Sequence, residues 1–125
     1  MSENYRAELK NGQQIFIKNW IPSVALENLT QAGKHIGLDT LLNISKLDEF
    51  ATHLTIVALS EAEDSEVAMK LIKHFVCTVN MEDQRITQIN FDEIFEGNLI
   101  AIVEIFAHVV HSQYADFFGQ GLIEV

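Results

Sequence analysis

The sequence predicts an α+β fold, mostly α, in which an N-terminal β-hairpin packs on a bundle of about four amphipathic helices. Three observations carry this expectation. An Asn11-Gly12 pair separates two short segments of extended character. Beyond Pro22, apolar residues recur at three- and four-residue spacing almost to the C-terminus. Hydrophobic residues make up 48% of the 125-residue chain, enough for a core without disulfides or metal. The expected organisation is a single domain, 1–125, with a hairpin at about 5–21, a helical part at about 22–118 and a short tail at 119–125.

The hairpin rests on Asn11-Gly12, because both residues accept the positive φ of a tight two-residue turn. Ile15 and Ile17 then alternate with Phe16 and Lys18. Two strands alone are marginal in water, so the hairpin must lean on the helices. Pro22 suits the first turn of a helix. Ala25, Leu26, Leu29, Ala32, Gly33 and Ile36 form its apolar face, and Gly37 stops it. Gly33 on that face reads as tight packing. Asp39 to Ile44 is expected to form one short turn. Ser45, with Asp48 three residues on, resembles a capping box for a second long helix. Its face would be Leu47, Phe50, Ala51, Leu54, Val57 and Ala58.

A third helix is expected from near Ser60, with Glu61, Glu63 and Asp64 at its positive end. Its core face would be Ala68, Met69, Ile72, Phe75, Val76 and Val79, with Lys70, Lys73 and His74 turned elsewhere. Asn80 to Gln88 is a polar break in which Arg85-Ile86-Thr87 reads as a short extended piece. Asn90 caps a single turn, Phe91 to Phe95. Gly97-Asn98 opens the final helix, Leu99 to about Phe118. Its stripe would be Leu99, Ile102, Val103, Phe106, Val110 and Phe117, with Val109 and Tyr114 at the edges. Ile56, Leu59, Ile100 and Ile105 fall off these stripes. Such surplus apolar surface fits either a wide core or a partner, including a second copy of the chain.

Charge narrows the function classes. Asp plus Glu number 18 against 8 Lys plus Arg, a formal charge of −10. That surface repels phosphate, so neither nucleic acid nor anionic membrane is an expected partner. Cys77 is the single cysteine, which excludes an intrachain disulfide and fits a reducing cytoplasm. No apolar run reaches the roughly 18 residues of a membrane span. The opening Met1-Ser2-Glu3-Asn4-Tyr5-Arg6 lacks the apolar stretch of a signal peptide.

Candidates for chemistry are weak. Glu104, His108 and His111, spaced four then three, share one side of the last helix and resemble a partial metal shell. That side is opposite the predicted stripe, so a solvated polar face is the favoured reading, and no metal ligand is assigned. His74 and Cys77 are three apart, but Cys77 lies far from a helix N-terminus that would activate its thiol, and a structural role is favoured. Asp92, Glu93 and Glu96 read as helix-start acids. Phosphate-binding loops, GxGxxG, HExxH, GxSxG and CxxC are all missing. No catalytic residue or cofactor is expected.

The order of elements resembles a known family. Trp20-Ile21-Pro22 leads into a helix bearing Ala25-Leu26-Glu27-Asn28-Leu29 and ending at Ile36-Gly37. Later comes Asn90-Phe91-Asp92-Glu93-Ile94-Phe95-Glu96-Gly97-Asn98-Leu99, and an apolar helix closes on Tyr114-Ala115-Asp116-Phe117-Phe118. Across about residues 12 to 118 this is similar to the tail assembly chaperones of long-tailed bacteriophages and prophages. The resemblance implies a non-enzymatic protein that binds and solubilises the tape-measure protein in the host cytoplasm and is absent from the finished virion. In several relatives a ribosomal frameshift appends a second domain.

An apolar helix face would bind the tape measure, and the negative charge would keep the complex dispersed. Ile100, Ile105, Tyr114, Phe117 and Phe118 are the candidate contact residues, for the partner or for a second copy. For Phe117, on the stripe, a core role is the competing reading. Two other classes share some features. An acidic inhibitor mimicking nucleic acid would need its carboxylates in one continuous ridge. A small metal-dependent enzyme would rest on Glu104, His108 and His111 alone.

Overall fold

Asn11 and Gly12 turn the chain back on itself, but through three residues rather than two. In the computed structural model, which describes residues 5–119, strands β1 (Tyr5–Glu8) and β2 (Gln14–Ile17) pair antiparallel. Leu9 N donates to Gln13 O at 2.8 Å, leaving Lys10, Asn11 and Gly12 as the loop. Gly12 takes φ 91°, the positive value such a loop needs at its last residue. Tyr5 pairs with Ile17 and Ala7 with Ile15, on the face turned to the core. Arg6 lies over the Phe16 ring on the other face, 5.1 Å from its centre.

The hairpin does not stand as a two-stranded unit. β3 (Asn80–Met81) adds to β2, giving an antiparallel sheet of order β1-β2-β3. This corrects the expectation that Asn80 is simply part of a polar break. The segment folds back at once, with Met81 N donating to Gln84 O at 2.7 Å and Arg85 bridging to Asn80. Met81 and Ile86 are thereby buried on either side of a polar tip.

α1 (Pro22–Ala32) carries proline in its first turn and widens into a π-helical turn, Gly33–Gly37. Gly37, at φ 107°, ends it. The next helix, α2 (Leu38–Ser45), is two turns long, not one, and buries Leu41 and Ile44. Ser45 closes α2 rather than capping the following helix; its hydroxyl donates to Leu42 O at 2.6 Å. The chain turns at Leu47, φ 53°, and Asp48 accepts from Phe50 N just before α3 (Ala51–Glu61). Glu61 therefore ends α3, and the following helix starts later than expected: α4 (Ser65–Val76) is capped by Asp64, which accepts from Val67 N at 3.2 Å. Ala68, Ile72, Phe75 and Val76 on α4 are buried, as the periodicity predicts, but Met69 is exposed.

Asn90 gives no side-chain cap to the short α5 (Phe91–Ile94). Its amide instead accepts from Thr87 N at 2.7 Å and donates to Arg85 O at 2.9 Å, tying the preceding loop together. α6 (Leu99–Phe117) runs through the centre, packed on α2, α3, α4 and β2. Encirclement explains why its composition shows no clean stripe: a helix covered on most sides is apolar on most sides. Ile105, predicted off the stripe, is fully buried, whereas Leu99, predicted in the stripe, is exposed. The sheet and all six α-helices contribute to one connected core, α3 through Ala51.

Candidate partner-binding groove

Several apolar side chains remain uncovered, and many of them converge. An open groove of about 660 Å³ lies where α3, α4, α5 and the first turns of α6 meet. Ile56 and Leu59 form one wall from α3. Met69, Ile72 and the stems of Lys70 and Lys73 form the wall from α4. Phe91 and Asp92 come from α5, and Leu99, Ile100, Ile102 and Val103 from α6. Ile72, Phe91 and Val103 are buried and make its floor. Its lips are wet: Leu99 is 76% exposed, Met69 58%, Ile56 47% and Ile100 43%. Isolated exposed apolar residues are ordinary, but a contiguous set lining one concavity marks an interaction surface.

Local sequence explains why this set stays open. α3 is apolar around much of its circumference, and only Ala51 and Thr55 of it are buried. Ile56 is exposed and Leu59 half-buried, and both line the groove that they share with the start of α6. The Gly97-Asn98 junction, with Gly97 at φ 74°, separates α5 from α6, whose first turn leaves Leu99 and Ile100 exposed. Lys73 holds one wall in place: its ammonium sits 5.0 Å from the centre of the Phe91 ring. Lys70 pairs with Glu66 at 3.3 Å on the exposed rim.

The Glu104, His108 and His111 trio is not the solvated face expected of it. All three are half-buried, and each is committed to a different structural partner. Glu104 accepts from Lys10 N at 3.1 Å, which anchors the hairpin loop. Tyr5 Oη and His108 Nδ1 share a hydrogen bond of 2.9 Å, which anchors β1. His111 Nδ1 donates to Ser45 O at 2.7 Å, satisfying a carbonyl at the C-terminus of α2. Burial lowers the pKa of His108, and the neighbouring His111 lowers it further. Among the described residues no group of three ligand-type side chains is disposed to hold a metal ion. Burial likewise raises the Cys77 thiol, against a smaller opposite effect of Lys73, so nothing there activates a nucleophile.

The five predicted contact residues separate into two kinds. Ile105 is fully buried, Tyr114 is 2% exposed and Phe118 8%, so within the chain they are core. Tyr114 donates to Ala25 O at 2.8 Å, and burial raises its pKa. Its ring meets Trp20 and Phe118, which makes the aromatic end a plug joining α6 to α1. Ile100 and Phe117 are the two that reach solvent, and only Ile100 lines the groove. Ile56 and Leu59, marked beforehand as surplus, share the groove with it. Met69 and Leu99 were missed, because each falls on the same period as true core residues of its helix.

The comparison with known families bears on this surface. A family model described as phage tail assembly chaperone protein, TAC, matches residues 11–124. The chain belongs to the phage tail assembly chaperone family. Its role is accordingly that of a tail-assembly chaperone, and a phage tail protein is the class of partner that family membership implies. Neither the curated proteins nor the solved structures give a significant match. No described helix of this chaperone is long and apolar enough to cross a membrane.

Proposed function

We propose that this chaperone binds the tape-measure protein through the groove between α3, α4, α5 and α6, and keeps it soluble in the host cytoplasm until the tail tube forms. The observation that carries the reading is a wet apolar concavity on a chain whose family assembles phage tails. A client with exposed apolar surface aggregates unless that surface is covered, and Ile56, Met69, Leu99 and Ile100 offer matching surface. The formal charge of −10 then keeps the complex dispersed by like-charge repulsion. Such action is binding without catalysis, and it calls for no cofactor.

Co-expression tests this. The tape-measure protein is produced alone, with the wild-type chaperone and with Ile100→Glu, and its soluble fraction is measured. The wild type should raise that fraction and Ile100→Glu should not, while the purified variant keeps its helical circular dichroism and unfolding midpoint. Full solubilisation by Ile100→Glu would remove the groove from the mechanism.

A further inference from the structure

We infer that the groove takes its partner as an amphipathic helix whose one flank carries a carboxylate set against Lys70 and Lys73. The inference rests on the groove being the partner surface and adds the form and charge of what enters it.

The first half follows from what the walls lack. Every wall belongs to a helix, so most backbone groups along the groove are paired within their own helix; the unpaired ones lie at helix ends, as at the starts of α5 and α6 near Phe91, Leu99 and Ile100. An extended segment laid in the groove would bury most of its own backbone groups against apolar side chains, with too few groups to receive them. A helix satisfies its backbone internally and presents side chains at three- and four-residue spacing. A cleft of about 660 Å³ accommodates a few such side chains from one face, not a folded domain.

The second half follows from charge on the rim. In a chain with 18 acids and 8 Lys plus Arg, the α4 wall presents Lys70 and Lys73. Both lie on the same side of α4, one turn apart. Lys73 lines the groove with its ammonium over the Phe91 ring. Lys70 is held only by Glu66, a pair whose side chains are 75% and 74% exposed. Such a pair is held weakly, so an incoming carboxylate can replace Glu66 at little cost. Asp92, on the α5 side, disfavours an acid on the opposite flank. The rim therefore orients the helix as well as attracting it: acid toward α4, neutral or basic toward α5.

Synthetic peptides test both halves against the full chain. The probe is a fluorescein-labelled 14-residue helical peptide with Leu at positions one, four, five and eight. Three versions are compared by anisotropy: Glu on one flank, Lys on that flank, and the Glu version with a central Pro. The Glu peptide should bind about fivefold to tenfold more tightly than the Lys peptide, an advantage that 1 M salt abolishes. Lys70→Glu/Lys73→Glu should reverse the order, and the Pro peptide should lose at least about tenfold. Equal binding of Glu and Lys peptides overturns the charge assignment, and undiminished binding of the Pro peptide overturns the helical one. If the chain is dimeric in solution, the dimer is lost in Ile100→Glu and no peptide binds, the groove belongs to a second copy and the inference fails. These failures are distinct from that of the function itself. Flank charge can prove irrelevant while Ile100→Glu still abolishes tape-measure solubilisation, and only the present inference would then fall.

Discussion

The first turn and the middle of α6 have similar composition and opposite fates. From Ile105 to Val110 nearly every side chain is buried, including Ile105, Phe106, Val109 and Val110. At its first turn Leu99 and Ile100 are apolar and in water. The difference lies in what the rest of the chain supplies. α6 packs on α2, α3, α4 and β2, which bury its middle, whereas nothing in the described chain covers Leu99 and Ile100 at its first turn. Hydrophobicity on a helix thus marks surface that must be covered, without saying whether the same chain covers it. In a chaperone the uncovered part is where function is to be sought.

The largest expected effect comes from disturbing the covered part. Phe106 is fully buried, its ring centre 5.3 Å from that of Phe75. Phe106→Ala should cost about 3–5 kcal/mol, through lost burial and the cavity it leaves. Urea unfolding would show it as a large fall in midpoint or as loss of a cooperative transition. A loss below about 1 kcal/mol would mean that the middle of α6 collapses onto the gap, and that it is less tightly packed than described. Next comes the aromatic plug. Tyr114→Phe removes the hydroxyl that donates to Ala25 O, a carbonyl inside α1 that keeps its place in the helical ladder. The expected loss is about 0.5–1.5 kcal/mol. If Tyr114 served the partner rather than the core, the same change would spare stability and weaken tape-measure binding.

Acid should act on the polar struts rather than on the groove. His108 has its pKa lowered by burial and by His111. Below the ordinary histidine value of 6.5, the unfolded chain takes up a proton that the folded chain still refuses. Stability should therefore fall as pH drops from 6.5 toward the lowered value, and that contribution should level off beneath it. His108→Gln should flatten this part of the profile in thermal melts between pH 7 and pH 5. A wild-type profile that rises on acidification through that window would contradict the assignment.

Legibility in the sequence follows the same division between covered and uncovered surface. Asn11-Gly12, Pro22 and Gly37 constrain the backbone locally, so the hairpin and the bounds of α1 and its π-turn are readable without tertiary information. The junctions on either side of α3 are not. Ser45 and Asp48 look like a capping pair, yet the Ser45 hydroxyl turns back onto Leu42 O, and a run of Ser60, Glu61, Glu63 and Asp64 does not single out Asp64 as the cap of α4. β3 is invisible because two residues carry no period; Asn80 and Met81 are extended only because β2 offers an edge. Within the groove, Ile56, Leu59 and Ile100 announce themselves by breaking their helix's stripe. Met69 and Leu99 keep to the stripe and so pass for core. Periodicity assumes one buried side per helix, and α4 and α6 each use that side twice, once inward and once along the groove.

The smallest expected effect on stability sharpens the contrast most. Met69 and Leu99 are apolar and largely in water, so replacing them forfeits little burial. Met69→Ser and Leu99→Ser should each change stability by no more than about 0.5 kcal/mol, as exposed positions do. Both variants should nevertheless lower the soluble fraction of co-expressed tape-measure protein, with Leu99→Ser and Met69→Ser together approaching the effect of Ile100→Glu. Phe117→Ser, exposed but outside the groove, is the matched control and should leave solubilisation intact. If Phe117→Ser proves the more damaging, the working surface lies at the C-terminal end of α6 and not at its first turn.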